Sequence, residues 1–391
     1  MFCRITFLIC LLATQQPFAI RQLAVLPDAA GTDKSLARIS ADSQLLATGT
    51  GHGPVKLWDL RSGTLLANLH GTEEQSPRGF SPVDDRLLVS ADLTSLSLYD
   101  LNNMSLKASV KLKEQLGNIN FFDSFSPNGE LFIVDSVGKN KVTVWETKTA
   151  RMIAWRPCNK PLFSSTFSPD SRTVLMSCGD RNAILWDART GNVLAEFQHR
   201  EDVLTAKFDS NGKTITTITL DNHVTAWDIS TSTMKNSWGR DSQVYSATFS
   251  PDGKVLATLS WGGFAMVWDV ETQRLKYQLR ISRNATSVTF SRDGKFVSSN
   301  GHAGEVAVWN VADGSEVLRL SEHREDIQFV QFSADSRFMI SSGHGALNIW
   351  DLARRAHIAK LDANFGLLSD NGQRLITQRD NNSLILWELG P

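Results

Sequence analysis

The chain has 391 residues, 41% of them hydrophobic and 21% charged. That balance belongs to a soluble globular protein and excludes a wholly disordered chain, a collagen or a membrane bundle. Lys+Arg 40 against Asp+Glu 41 gives a formal net charge of -1, without the cationic surplus that nucleic acid demands as a main partner.

The first element is a leader. Cys3-Arg4 precedes an apolar run from Ile5 to Ala13, and a polar stretch then ends at Ala19. Residues 1–19 therefore resemble a secretory signal peptide, although Pro17-Phe18-Ala19 is not an A-x-A cleavage box. The run is shorter than the ~20 apolar residues that span a bilayer, so no integral membrane segment is expected. An exported protein, periplasmic or extracellular, is the reading; an apolar tail on a cytoplasmic protein is the alternative. Cys3 and Cys10 would leave with the leader. Cys158 and Cys178 would remain as two small buried side chains, or, in an exporting compartment, as one disulfide inside a repeat. They are too few for a structural zinc site.

From residue 20 onward the chain repeats itself. An aromatic residue followed by Asp, Glu or Asn recurs at Trp58, Tyr99, Trp145, Trp186, Trp227, Trp268, Trp309, Trp350 and Trp387, spaced 41, 46, 41, 41, 41, 41, 41 and 37 residues apart. A turn of the type Phe-Ser-Pro-Asp-Gly keeps step with it, as at Phe125-Ser126-Pro127-Asn128-Gly129 and Phe249-Ser250-Pro251-Asp252-Gly253. Drifted copies at Ile39-Ser40-Ala41-Asp42, Phe208-Asp209-Ser210-Asn211-Gly212 and Leu368-Ser369-Asp370-Asn371-Gly372 bring both markers to nine.

Within one unit the residues predict four short strands. Val244-Phe249 closes at the Pro251-Asp252-Gly253 turn and Val255-Ser260 follows. Phe264, Met266 and Trp268 then share a face by the two-residue period of a third strand, and Arg274-Leu279 is the fourth. One such sheet cannot bury both faces; stacking its neighbours around a ring does, and closure protects the edges. An indole buried between sheets contributes about 5 kcal/mol at most, from ~200 Å² at ~25 cal/mol per Å². After Trp387 only four residues remain, so the ninth unit lacks its outer strand. Arg21-Leu26 reads like the outer strands Val193-Phe197 and Glu316-Leu320, and is expected to complete the last sheet.

The two markers in register resemble the WD-repeat (WD40) family of β-propellers, over essentially the whole chain after the leader. The resemblance implies an all-β fold: a single closed propeller over residues 20–391, with nine four-stranded antiparallel blades by repeat count where many relatives have seven or eight. The N-terminal strand, about residues 20–27, would close the ring. It also implies a structural tetrad of His, Ser/Thr, Asp and Trp, which one unit fits with His199, Thr217 or Thr219, Asp221 and Trp227. Trp58, Trp145, Trp186, Trp268, Trp309, Trp350 and Trp387 take the same packing role in the other units.

Enzyme motifs are absent from the sequence: no Gly-rich phosphate loop, no G-x-S-x-G and no H-E-x-x-H. The resemblance implies a non-enzymatic scaffold, a monomeric propeller within a larger complex, binding a protein or peptide and needing no cofactor. Trp and Arg anchor such interfaces. Trp155, Arg156, Arg200, Trp238, Arg240, Trp261, Arg283 and Arg324 fall in loops after outer strands or in second-to-third turns, and are the candidate docking residues. The alternative is a ligand- or metal-binding, or hydrolytic, propeller. It would use His52, His302 and His344, in Gly-His turns of units one, seven and eight on one sector of the ring, with His223 similar; adjacent blades lie ~10 Å apart, so no metal is assigned. Asn103-Met104-Ser105 and Asn284-Ala285-Thr286 are glycosylation sequons by pattern.

Overall fold

A computed structural model describes residues 19–27, 37–49, 53–69, 76–83, 86–91, 95–111, 125–136, 140–221, 223–238, 244–260, 263–272, 274–281, 285–301, 304–320, 326–343, 345–378 and 383–390. Every regular element among them is a strand. Each repeat makes one antiparallel sheet in the order first, second, third and outer strand; the sixth, for example, runs Val244–Phe249, Val255–Ser260, Phe264–Asp269 and Leu275–Arg280. Eight sheets have four strands. In blade 3 three strands are described, Leu131–Ser136, Lys141–Glu146 and Arg151–Pro157, and a Phe125–Phe132 bridge marks the inner position.

The nine blades form one closed ring. Ala19–Leu26 pairs antiparallel with Leu384–Gly390, from Ala19 opposite Gly390 to Leu26 opposite Leu384, and supplies blade 9 with its outer strand. The Arg21 guanidinium meets Glu388 at 2.6 Å, and Arg374 holds the other carboxylate oxygen at 3.1 Å. Each joint between consecutive blades has its own apolar cluster. At the closing joint Leu26, Ile376 and Leu386 of blade 9 pack with Leu46, Trp58 and Leu60 of blade 1, so the last joint is built like the other eight.

Both sequence markers have a physical job. In the turn, the Ser hydroxyl donates to the Asp or Asn two residues on and accepts the N–H five residues on; Ser250 reaches Asp252 at 2.6 Å and Val255 N at 2.9 Å. This fixes the reversal that starts the second strand. Where Ser replaces the turn's Gly, the left-handed backbone remains (φ 59°, 65° and 56° at Ser43, Ser171 and Ser336). Each of these hydroxyls contacts the preceding blade, at Asn371, Asn128 and Asp293. The strain is offset by a bond across the joint.

The indole N–H of the second marker needs a buried acceptor. It finds one two residues beyond its partner on the second strand: Thr48, Thr217, Thr258, Ser341 and Thr377 serve Trp58, Trp227, Trp268, Trp350 and Trp387 at 2.8–3.1 Å. Blade 3 has Val134 there, and Trp145 turns to Thr143. Blade 4 has Met176, and the fully buried Trp186 Nε1 has no partner among the described residues.

Candidate functional site

The expected tetrad is present but divided. His199 Nε2 meets Thr217 Oγ1 at 2.7 Å, and Trp227 Nε1 donates to the same oxygen. Asp221 is not the partner of His199. It accepts from Thr219 at 2.5 Å and faces His223 at 3.0 Å. Burial lowers the His199 pKa and favours the neutral ring. The unit is a hydrogen-bonded staple between blades 4 and 5.

One repeat length (41 residues) before His199 and Thr219 stand Cys158 and Cys178, which are joined as a disulfide. The preferred sequence reading of two free buried thiols is corrected. Cys158 follows the outer strand of blade 3 and Cys178 ends the second strand of blade 4, so the bond crosses the joint between blades. A covalent link stands where the next unit uses hydrogen bonds. Its sequence separation of 20 gives about 3 kcal/mol of loop-closure stabilisation. Reductant is expected to lower the unfolding free energy of the wild type, measured in urea, by that amount and to leave the Cys158→Ala/Cys178→Ala variant unmoved. A wild-type midpoint indifferent to reductant would mean the bond does not form.

The same joint carries other departures from the repeat. Asp135 Oδ1 accepts from Ser165 of blade 4 at 2.6 Å inside the protein, and burial pushes its pKa up to about 7. Asp180, the counterpart of Asp221, has a buried oxygen without a hydrogen-bond partner among the described residues, and burial raises its pKa.

Of the docking residues expected from the sequence, Trp155, Arg156 and Arg200 are described with their side chains. Trp155 and Arg156 are not in a loop: they lie within the outer strand Arg151–Pro157, Trp155 paired opposite Thr143. The alternation of the third strand continues into this one and carries Trp155 to the rim, where it is 53% exposed. Arg200 is exposed in the loop after the outer strand of blade 4. Trp238 ends the outer strand Thr233–Trp238. Arg240, Trp261, Arg283 and Arg324 lie outside the described residues, as do His52, His302 and His344. Among the described residues no three His, Cys, Asp or Glu side chains come together as metal ligands.

Sequence reasoning missed an apolar rim. Seven residues after the aromatic marker, on the outer strand, stand Leu65, Leu106, Met152, Met234 and Leu275, all 43–56% exposed. The fixed offset was the available signal. Sequence reasoning also passed over the axis, where the first strands of adjacent blades approach one another. There a cavity of about 1200 Å³ is lined by Arg38, Arg78, Phe163, Thr166, Lys207 and Thr248 among others.

The comparisons agree with this architecture. The family model "WD domain, G-beta repeat" matches residues 156–187, 232–269 and 314–351. WD repeat and SOCS box-containing protein 1 of Homo sapiens is 35% identical over 111 residues, 28% of this chain and 25% of that protein. Its Takifugu rubripes counterpart is 29% identical over 133 residues, 33% of this chain and 21% of that protein. The matched part thus spans about a quarter of these relatives' length. A crystal structure of the computationally designed Ika8 protein superposes with a TM-score of 0.61, covering 94% of this chain and 99% of that one at 19% identity, a likeness of fold alone. With nine blades built on one plan, the chain is a β-propeller, and three of its stretches match the WD-repeat model.

Proposed function

We propose that the chain is a non-enzymatic scaffold that binds a protein or peptide partner on the sector around blades 3 and 4. The observation that carries this is Trp155, 53% exposed beside Met152 at 50% on one outer strand, with Arg156 next in sequence. Large side chains left in water on a rigid strand lose little entropy when a partner covers them, and Trp and Arg are the residues on which interface energy concentrates. The relatives' WD repeats support the general role. The disulfide supports export, since such bonds persist in oxidising compartments, and the leader is proposed to be removed near residue 19.

Affinity capture from the native host, read by mass spectrometry of bait and prey, tests both points. A specific partner is expected with the wild type, lost at least tenfold with Trp155→Ala plus Arg156→Ala, and the bait is expected to begin near residue 20. Capture unchanged by that pair would place docking elsewhere. A bait retaining Met1 would remove the export reading.

A further inference from the structure

The outer strand of blade 3 has a charge that the chain as a whole lacks. From Thr147 to Pro169 the sequence carries Lys148, Arg151, Arg156 and Lys160 and no Asp or Glu, in a chain of formal net charge -1. Lys148 and Arg151 are exposed and Arg156 is half-buried. Their side chains make no ion pair or hydrogen bond among the described residues, while Lys160 faces the charge of Asp180. Two carboxylates on adjacent strands are already engaged. Glu146, paired opposite Arg151, accepts from Thr149 at 2.6 Å, and Glu196 on the outer strand of blade 4 accepts from Asn182 at 2.9 Å.

The strand sorts these side chains by face. Met152 pairs opposite Trp145 and Trp155 opposite Thr143, so the two share a face although three residues apart; the bulge at Ile153 allows it. Arg151 and Arg156, opposite Glu146 and Val142, take the other face. One face is thus apolar and exposed, and the other cationic. Arg151–Pro157 is also an edge, paired in its sheet with Lys141–Glu146 alone. Cys158 N–H donates to Asn140 O in step with this ladder, so by antiparallel alternation the N–H and C=O of Trp155 point away from the sheet. The disulfide at Cys158 holds the end of the strand to blade 4. Such an edge is a template for an extended chain. A second copy of the same strand would set cation against cation, which is unfavourable. A flat lipid surface meets the outside of a ring over few blades, whereas an extended segment lies along one strand.

We propose that the partner presents an extended segment of alternating acidic and apolar side chains, which adds as a further strand along Arg151–Pro157. Its carboxylates meet Arg151 and Arg156, with Lys148 at the start of the strand, and its apolar side chains cover Met152 and Trp155. This deepens the docking reading at Trp155 and rests on it.

Fluorescence anisotropy on the full chain tests it with a labelled peptide Glu-Val-Glu-Val-Glu-Val-Glu. Saturable binding is expected. It should weaken by about tenfold or more when Lys replaces Glu in the peptide, when the order is blocked as Glu-Glu-Glu-Glu-Val-Val-Val, or when alternate amides are N-methylated. Arg151→Glu plus Arg156→Glu in the protein is expected to weaken it as much, with the melting temperature unchanged. Lys276→Glu, on the outer strand of blade 6, is the control and should match the wild type. No saturable binding of the acidic peptide, or equal affinity for its N-methylated form, would overturn the proposal. Docking at the strand would still stand if capture of the native partner were lost with Trp155→Ala plus Arg156→Ala. Binding to anionic phospholipid vesicles that Arg151→Glu plus Arg156→Glu removes, with no peptide bound, would overturn it in favour of a lipid surface.

Discussion

Leu26→Asp is expected to open the ring, at a cost of about 4 kcal/mol or more. Leu26 is 1% exposed and sits where blade 9 meets blade 1. The substitution removes a buried side chain from that cluster and puts a carboxylate among the apolar side chains of Ile376, Leu386, Leu46 and Trp58. Its neighbour Val25 is 52% exposed on the same strand, so Val25→Asp keeps the backbone pairing and is expected to change stability by less than about 0.5 kcal/mol. Urea unfolding of the two variants separates the side chain's role from the strand's. Gly63 shows how closely the strand is nested. It has φ +74°, and a Cβ there would lie 2.4 Å from the Cβ of Ala24. If Leu26→Asp unfolds at the wild-type urea concentration, the N-terminal strand is not what holds the ends together.

That strand was readable in the sequence because the pattern ran out: nine aromatic markers and only eight following outer strands left one place for Arg21-Leu26. The blade count was readable for a similar reason, since the 41-residue period fixes both the turn and the indole. The joint between blades 3 and 4 was not. Spacing in a chain does not say which second-strand atoms face an adjacent outer strand, so Cys158 and Cys178 read first as two buried thiols, where the structure joins them. The sequence places Trp155 in a loop or turn, whereas pairing with Thr143 extends the outer strand through Pro157. The rim residues were hidden by the habit of reading apolar side chains as core. Only the strand pairing shows that Met152, Met234 and Leu275, opposite Trp145, Trp227 and Trp268, lie exposed on the outer strand.

Asp135 illustrates the same limit with a larger consequence. The corresponding second-strand positions hold Ser177, Ile218, Leu259, Asn300 and Ser342, so nothing in the repeat prepares for a carboxylate. The Ser165 hydroxyl donates to it, and burial outweighs that bond, raising the pKa from 3.8 to about 7. The native state therefore holds the proton more tightly than the unfolded chain. Between about pH 4 and pH 7 the native protein binds more protons, and this group's contribution to stability falls as pH rises through that window. The contribution is intact below the unfolded pKa and lost once the folded pKa is passed. A shift of that size corresponds to up to about 4 kcal/mol at pH 8, at 1.36 kcal/mol per pH unit. Asp135→Asn removes the ionisation and keeps an oxygen to accept from Ser165. It is expected to match the wild type in urea at pH 4 and to exceed it at pH 8 by as much as that amount. The gap between the two proteins should widen steadily from about pH 4 and level off once the folded pKa is passed. Parallel curves from pH 4 to pH 8 would show that Asp135 ionises as freely in the folded protein as in the unfolded chain, and that the blade 3–4 joint is open to water at this carboxylate.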